Sequence, residues 1–207
     1  MSSGELVVVT GPPAVGKMTV GRAICAASDF RLFHNHHTIE PLAETFGFDS
    51  PAFELLKDEF RRRVIEEAAR SGLRLVFTFV WPVDVEADAD TVRALLAPYA
   101  ERGLPVSFVE LYADLETRLV RNTGSDRIAA KPSKADLAWS DAHVREADVR
   151  HRMNTDPDGP SAADAVYAAH RHLRLDNSGL VPEETARRVL AWLALRSSEP
   201  ATAADRN

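Results

Sequence analysis

The residues best suited to chemistry come early. In Leu6-Val7-Val8-Val9-Thr10-Gly11-Pro12-Pro13-Ala14-Val15-Gly16-Lys17-Met18-Thr19 a short apolar run ends at a glycine, and Gly16-Lys17 follows just before a helical pattern. A glycine-rich turn between a strand and a helix can wrap a phosphate group. Glycines let the backbone approach closely, successive N–H groups point inward, and the helix presents its positive end while the lysine adds a mobile cation. On this reading Gly11, Pro13, Ala14, Val15, Gly16, Lys17, Met18 and Thr19 form the phosphate loop. Such a loop usually carries Ser or Thr directly after the lysine, as a magnesium ligand. Here Met18 holds that position and the hydroxyl comes one residue later, so Thr19 would hold magnesium either directly or through water. The competing reading is a strand–turn–helix with a chance Gly-Lys.

Three further clusters could complete a site. His34-Asn35-His36-His37-Thr38 offers hydrogen-bonding groups and rings that titrate near neutrality, with Glu40 as an alternative base. Two histidines on one strand face are too few for a metal site. Helix capping plus surface polarity would explain the same residues. Arg118 and Arg121 are three apart on a helical pattern, and Arg127 and Lys131 follow in a segment with Gly124, Ser125 and Pro132. From Arg118 to Arg152 there are eight Lys or Arg against five Asp or Glu, in a chain of net charge -6. Cations on a flexible segment can close over phosphate oxygens and exclude water, although a solvated basic helix has the same composition. Asp176-Asn177-Ser178-Gly179 is a turn after an apolar run. Trp81 and Asp84 follow another such run, where Trp81 could line a pocket or pack on the sheet edge. Asp84 is the nearest carboxylate after Val80.

Elements must bring these clusters together. Apolar runs at 5–10, 31–34, 73–80, 105–112 and 173–176 read as strands. Helical patterns cover 17–27, 38–46 (with Thr38 as cap), a stretch starting at Pro51 and running through Ala68, 88–102, 115–121 and 182–195. Ser50-Pro51 is a start signal, and the helix after it sets Phe53, Leu56, Phe60, Val64 and Ala68 on one stripe. Its Arg61-Arg62-Arg63 run reads as a solvated face. Strands separated by helices imply parallel pairing with right-handed crossovers, and ligands then bind beyond the carboxyl ends of the strands. The loops singled out above all fall at that edge. Residues 141–160 are charged and fit either a lid extension or a helix ending in a loop.

The chain has 207 residues, enough for one domain with a sizeable core, expected over 1–196 with a lid at about 122–160 and a disordered tail at 197–207. Mild acidity argues against a broad nucleic-acid footprint. The single cysteine, Cys25, excludes an internal disulfide, suits a reducing compartment and reads as a small buried hydrophobe. The first apolar run has no basic region ahead of it and leads into the phosphate loop, as a core strand rather than a signal peptide, and no stretch is long enough to span a membrane. A cytoplasmic protein is expected.

From about residue 5 to 195 the chain resembles the small P-loop kinases of the nucleoside-monophosphate-kinase and shikimate-kinase-like group. The resemblance extends to bacterial AAA-type ATPase-like proteins that carry Gly-Pro-Pro-Ala-Val-Gly-Lys and a later His-Asn-His, here at 11–17 and 34–36. It implies a three-layer α/β P-loop NTPase fold with a five-stranded parallel sheet, ATP and Mg²⁺, and a mobile lid. It further implies that Arg118 stacks on the adenine, that Arg121, Arg127 and Lys131 reach phosphates, and that Asn177 and Ser178 pass beside the base. His34, Asn35, His36 and Trp81 would contact a small-molecule acceptor. The expected activity is transfer of the γ-phosphoryl group of ATP to a nucleoside, nucleotide, polyol or antibiotic. A polynucleotide or RNA-end kinase is the alternative enzyme, and a nucleotide-binding switch with slow ATPase activity the alternative class. The sequence departs from the simple NTPase pattern at Met18 and in lacking a carboxylate within the 73–80 strand. No Asp–Arg–Gly-rich constellation for a carboxylated polyol stands out, and oligomeric state is not legible.

Overall fold

A computed structural model describes residues 4–48, 50–123, 137–156 and 159–195. Five strands, β1 (Glu5–Thr10), β2 (Arg31–His34), β3 (Arg74–Thr78), β4 (Val106–Tyr112) and β5 (Arg171–Asp176), form one sheet in the order β2-β3-β1-β4-β5. Every pairing is parallel, with Leu6 of β1 opposite Leu75 on one side and Val106 on the other. β1 sits at the centre because its apolar run has no polar face. All six of its residues are buried. Successive side chains point to opposite faces, so one run feeds two cores. Leu6 and Val8 join Phe77 and Phe108 on one side, while Val7 and Val9 join Val76 and Val109 on the other. Each such buried aliphatic side chain is worth about 1.5–3 kcal/mol.

The helices are α1 (Lys17–Ala26), α2 (His36–Phe46), α3 (Pro51–Arg70), α4 (Glu86–Ala100), α5 (Leu115–Asn122), α6 (Leu137–Arg150), α7 (Asp164–Ala168) and α8 (Pro182–Ala194). α1 packs with α8 over one face of the sheet. α3 and α4 pack together over the other, where α7 adds Val166 and Tyr167. The three-layer parallel architecture expected from the sequence is thus present. Ser50 caps α3 by accepting from the Phe53 amide at 3.1 Å, with Pro51 at the first helical position, as the Ser-Pro signal indicated. Cys25 is half-buried against the α1 core, and burial pushes its thiol pKa up.

Several expectations need correction. α2 begins at His36, and Thr38 lies inside it, fully buried, its hydroxyl donating to the Asn35 carbonyl at 2.8 Å. The buried face of α3 is Phe53, Arg61, Ile65, Ala68 and Ala69, whereas Phe60 is exposed. Arg61 turns inward because partners await it there. It donates to Asn35 Oδ1 at 2.5 Å and to Asp58 at 3.3 Å, and lies over the Phe79 ring. Arg62 and Arg63 stay on the solvated face. Within 141–160 the described chain completes α6 and then runs irregularly toward α7. Residues 124–136 of the lid expected at about 122–160, and the tail, lie outside the described residues.

Candidate active site

The phosphate loop departs from the end of β1 at a position only glycine fits. Gly11 has φ 127°, and a Cβ there would stand 2.4 Å from the Leu111 carbonyl oxygen of β4. Ala14 has φ 65°, and Gly16, the residue before α1, has φ 105° with no side chain capping the helix. Three positive-φ residues within six positions curl the backbone, and the first turn of α1 carries no acid to oppose an anion. Lys17 Nζ donates to the carbonyls of Gly11 at 2.6 Å and Pro12 at 2.7 Å, so the ammonium folds back over the loop. Val15 is fully buried, with its carbonyl turned toward β5.

That carbonyl is the centre of a clamp. Asn177 Nδ2 donates to it at 3.1 Å and Arg121 Nη1 at 3.0 Å. The other arm of Arg121 donates to the carbonyls of Asn177 at 2.7 Å and Ser178 at 3.1 Å. One planar guanidinium therefore ties the loop, α5 and the turn after β5 together. Burial lowers the Arg121 pKa, with Asp114 and Asp176 opposing that effect. It remains a cation at neutral pH. Ser178 contributes its backbone here, while its hydroxyl accepts from the Asp114 amide at 3.3 Å.

Above the loop lies a cavity of about 370 Å³. Its floor is Pro13, Ala14, Gly16, Lys17, Met18 and Thr19. Met18 is buried and Thr19 exposed, and both line the cavity. One wall carries Arg121, Asn177, Leu180 and Pro182, with His143 reaching in from α6. The opposite wall carries His34, Asn35 and His36, with Ile39, Phe48, Thr78 and Val80. The phosphate loop, the clamp and the histidine cluster therefore line one cavity. Asn35 is fixed from two sides: its amide donates to Thr78 Oγ1 at 3.3 Å and its side chain accepts from Arg61. His36 Nδ1 is 2.7 Å from Glu40 Oε1, and the His34 and His37 rings are 3.6 Å apart. Burial, and then the charge of Arg22, lower the His37 pKa.

Two sequence-based placements fail. Trp81 has no exposed surface; it packs in the core against Phe108 and Tyr167 at ring separations of 6.1 and 5.1 Å. It cannot touch an acceptor. The short helix α7, which brings Tyr167, gave no clear sequence signal. Arg118 does not line this cavity. It is 3% exposed, pairs with Asp148 of α6 and donates Nε to the Ala113 carbonyl at 3.1 Å. Residues three apart on a helix are some 60° apart around it, and here Arg118 and Arg121 diverge. Arg127 and Lys131 lie outside the described residues. Asp84 faces His151 at 3.8 Å rather than the cavity. Among the described residues no cluster of three His, Cys, Asp or Glu could hold a metal, and no carboxylate lines the cavity. Sequence reasoning missed Arg61, hidden in a basic run, and His143, which had no motif around it.

No protein-family model matches the chain. A shikimate kinase from Rhodococcus jostii is 38% identical over 65 residues, which cover 28% of this chain and 39% of that relative's length. The shikimate kinase of Acinetobacter baumannii, solved with shikimate, superposes with a TM-score of 0.57 at 16% identity, covering 96% of this chain and 97% of that one. The fold is that of the P-loop kinases. The APS kinase of Mycobacterium tuberculosis, solved with AMPPNP and APS, superposes with a TM-score of 0.55 at 18% identity, covering 93% of this chain and 99% of that one. Among the described residues of this P-loop fold, no helix is long and apolar enough to cross a membrane.

Proposed function

We propose that this chain is a kinase that moves the γ-phosphoryl group of ATP to a small-molecule acceptor. The observation that carries the reading is the single cavity joining Lys17 and Thr19, the Arg121–Asn177 wall and the His34–His36 wall. Phosphoryl transfer needs in-line placement and cations near the equatorial oxygens more than covalent chemistry from the protein. The loop amides and Lys17 would hold the β- and γ-phosphates, with Arg121 and Arg127 closing over them. Asn177 and the Ser178 backbone would border the base. The acceptor oxygen attacks the γ-phosphorus, the bond to the β–γ bridging oxygen breaks, and ADP leaves. His36, oriented by Glu40, is the ring that would take the acceptor's proton, with His34 beside it.

The residues suit magnesium that arrives with the nucleotide, because Mg²⁺ keeps several waters and takes phosphate oxygens. Thr19 would supply the protein oxygen, and the metal would neutralise charge on the phosphates. The absence of a carboxylate among the described lining residues favours one second reading, a nucleotide-binding switch with slow turnover. Shikimate and APS, with which the two structural neighbours were solved, belong in the acceptor panel together with nucleosides, polyols and aminoglycosides. The test is ADP release from MgATP against that panel. Stimulation by one class, abolished in Lys17→Ala, supports the kinase. Tight ATP binding with slow turnover that no member of the panel raises supports the switch.

A further inference from the structure

A second cavity, of about 340 Å³, lies on the reverse side of the phosphate loop. Four pairs of nearby residues divide between the two cavities. Pro13 lines the first and Pro12 the second; on α5, Arg121 lines the first and Arg118 the second. On α6 the division is His143 against Asp148, and around the end of β5 it is Asn177 against Arg174. The chemistry differs too. The second cavity is bounded by three guanidiniums, Arg118, Arg152 and Arg174, with His151, against the carboxylates Asp148 and Asp156. Glu110 lies 3.8 Å from Arg174 Nε, but its oxygens already accept from Asn154, Thr155 and His172.

Arg118 is the most buried of the three arginines. Nine-tenths or more of it is buried; Nε donates to Ala113, Nη2 to Asp148, and Nη1 has no acceptor among the described residues. A buried, incompletely bonded guanidinium is costly, but Nη1 has almost no accessible surface, so Arg118 adds its charge beside Asp148 and the N–H groups open to an oxyanion belong to Arg152 and Arg174. Arg152 and Arg174 each spend one Nη2 on a carbonyl, of Pro160 and Thr155, and keep further N–H groups for a ligand.

We infer that this second cavity binds a phosphate-sized oxyanion, separately from the nucleotide. The inference goes beyond the proposed kinase activity and does not depend on it. The test measures inorganic phosphate binding by calorimetry to the intact chain, to Lys17→Ala and to the double variant Arg152→Gln/Arg174→Gln. Binding that survives Lys17→Ala and weakens about tenfold or more in the double variant supports the site. Loss in Lys17→Ala with full retention in the double variant assigns phosphate to the first cavity and overturns the inference, as does the absence of binding. Crystals of the unmodified chain soaked in tungstate, a heavy tetrahedral oxyanion, give a readout independent of any variant. An anomalous peak among Arg118, Arg152 and Arg174 supports the site, and a peak confined to Lys17, or none, overturns it.

Discussion

Two alanine substitutions in the phosphate loop should differ for a reason visible in the backbone. Gly16→Ala places a Cβ at φ 105° in ordinary van der Waals contact, its nearest neighbour being Asn177 Nδ2 at 3.6 Å. The left-handed conformation costs about 1–3 kcal/mol, and alanine's stiffer unfolded chain returns about 0.4–1 kcal/mol. A net loss of roughly 1–2 kcal/mol is expected. Gly11→Ala carries the same conformational cost at φ 127°, and its Cβ meets the Leu111 carbonyl oxygen at 2.4 Å and Val15 Cγ1 at 3.3 Å. The obstacle is backbone of a central strand, so β1 and β4 must shift apart. Overpacking of this kind adds about 1–3 kcal/mol, for a total of roughly 2–5 kcal/mol. Urea unfolding of both variants measures the difference, and each kcal/mol should appear as about 2–4 °C in a melt of a chain this size. Nucleotide affinity should order the other way relative to stability. The Gly16→Ala methyl faces Asn177 and Arg121, so binding falls by more than the modest destabilisation suggests. Equal stability losses for the two variants would refute the assigned role of Leu111 in fixing the loop.

Arg121→Lys keeps the charge but cannot span the Val15, Asn177 and Ser178 carbonyls. With hydrogen bonds to a charged group worth about 1.5–3 kcal/mol, ATP affinity should fall roughly tenfold or more by calorimetry, and an unchanged affinity contradicts the clamp. Trp81→Ala should cost about 3–5 kcal/mol of stability in a melt, while leaving acceptor KM unaltered in protein that remains folded. A selective rise in acceptor KM would return Trp81 to the site. Burial works against ionisation of Glu110, but donation from His172, Asn154 and Thr155 outweighs it and holds the pKa below its ordinary 4.5. Its contribution to stability is therefore present above that value and fades as pH falls through the lower folded one. Between about pH 5 and about pH 3 the native protein should lose more stability than Glu110→Gln, and parallel acid limbs would contradict the assignment.

Much of the fold was legible because each signal was local. The β1 run, the Gly11 and Gly16 turns and the Ser50-Pro51 start are readable within a few residues of chain, and alternation of strands and helices dictates parallel pairing. The misplacements involve contacts distant in sequence. Arg61 reads as surface until Asn35, 26 residues away, turns toward it. Trp81 reads as a pocket residue until Tyr167 of the short α7 closes over it. Arg118 and Arg121 share a helix but are claimed by Asp148 on one side and by Val15 and Asn177 on the other. The phosphate loop and the histidine cluster were visible as separate motifs, whereas only the sheet order, with β3 between β2 and β1, sets them across one cavity.

The most direct test follows the phosphorus itself. With MgATP and the acceptor panel, ³¹P NMR distinguishes a new phosphoester on an acceptor from free inorganic phosphate. The account predicts a phosphoester signal that grows in step with ADP for one acceptor class and is absent with Lys17→Ala. Inorganic phosphate as the sole product across the panel, at a rate no acceptor changes, would contradict a phosphotransferase and leave a nucleotide-hydrolysing switch.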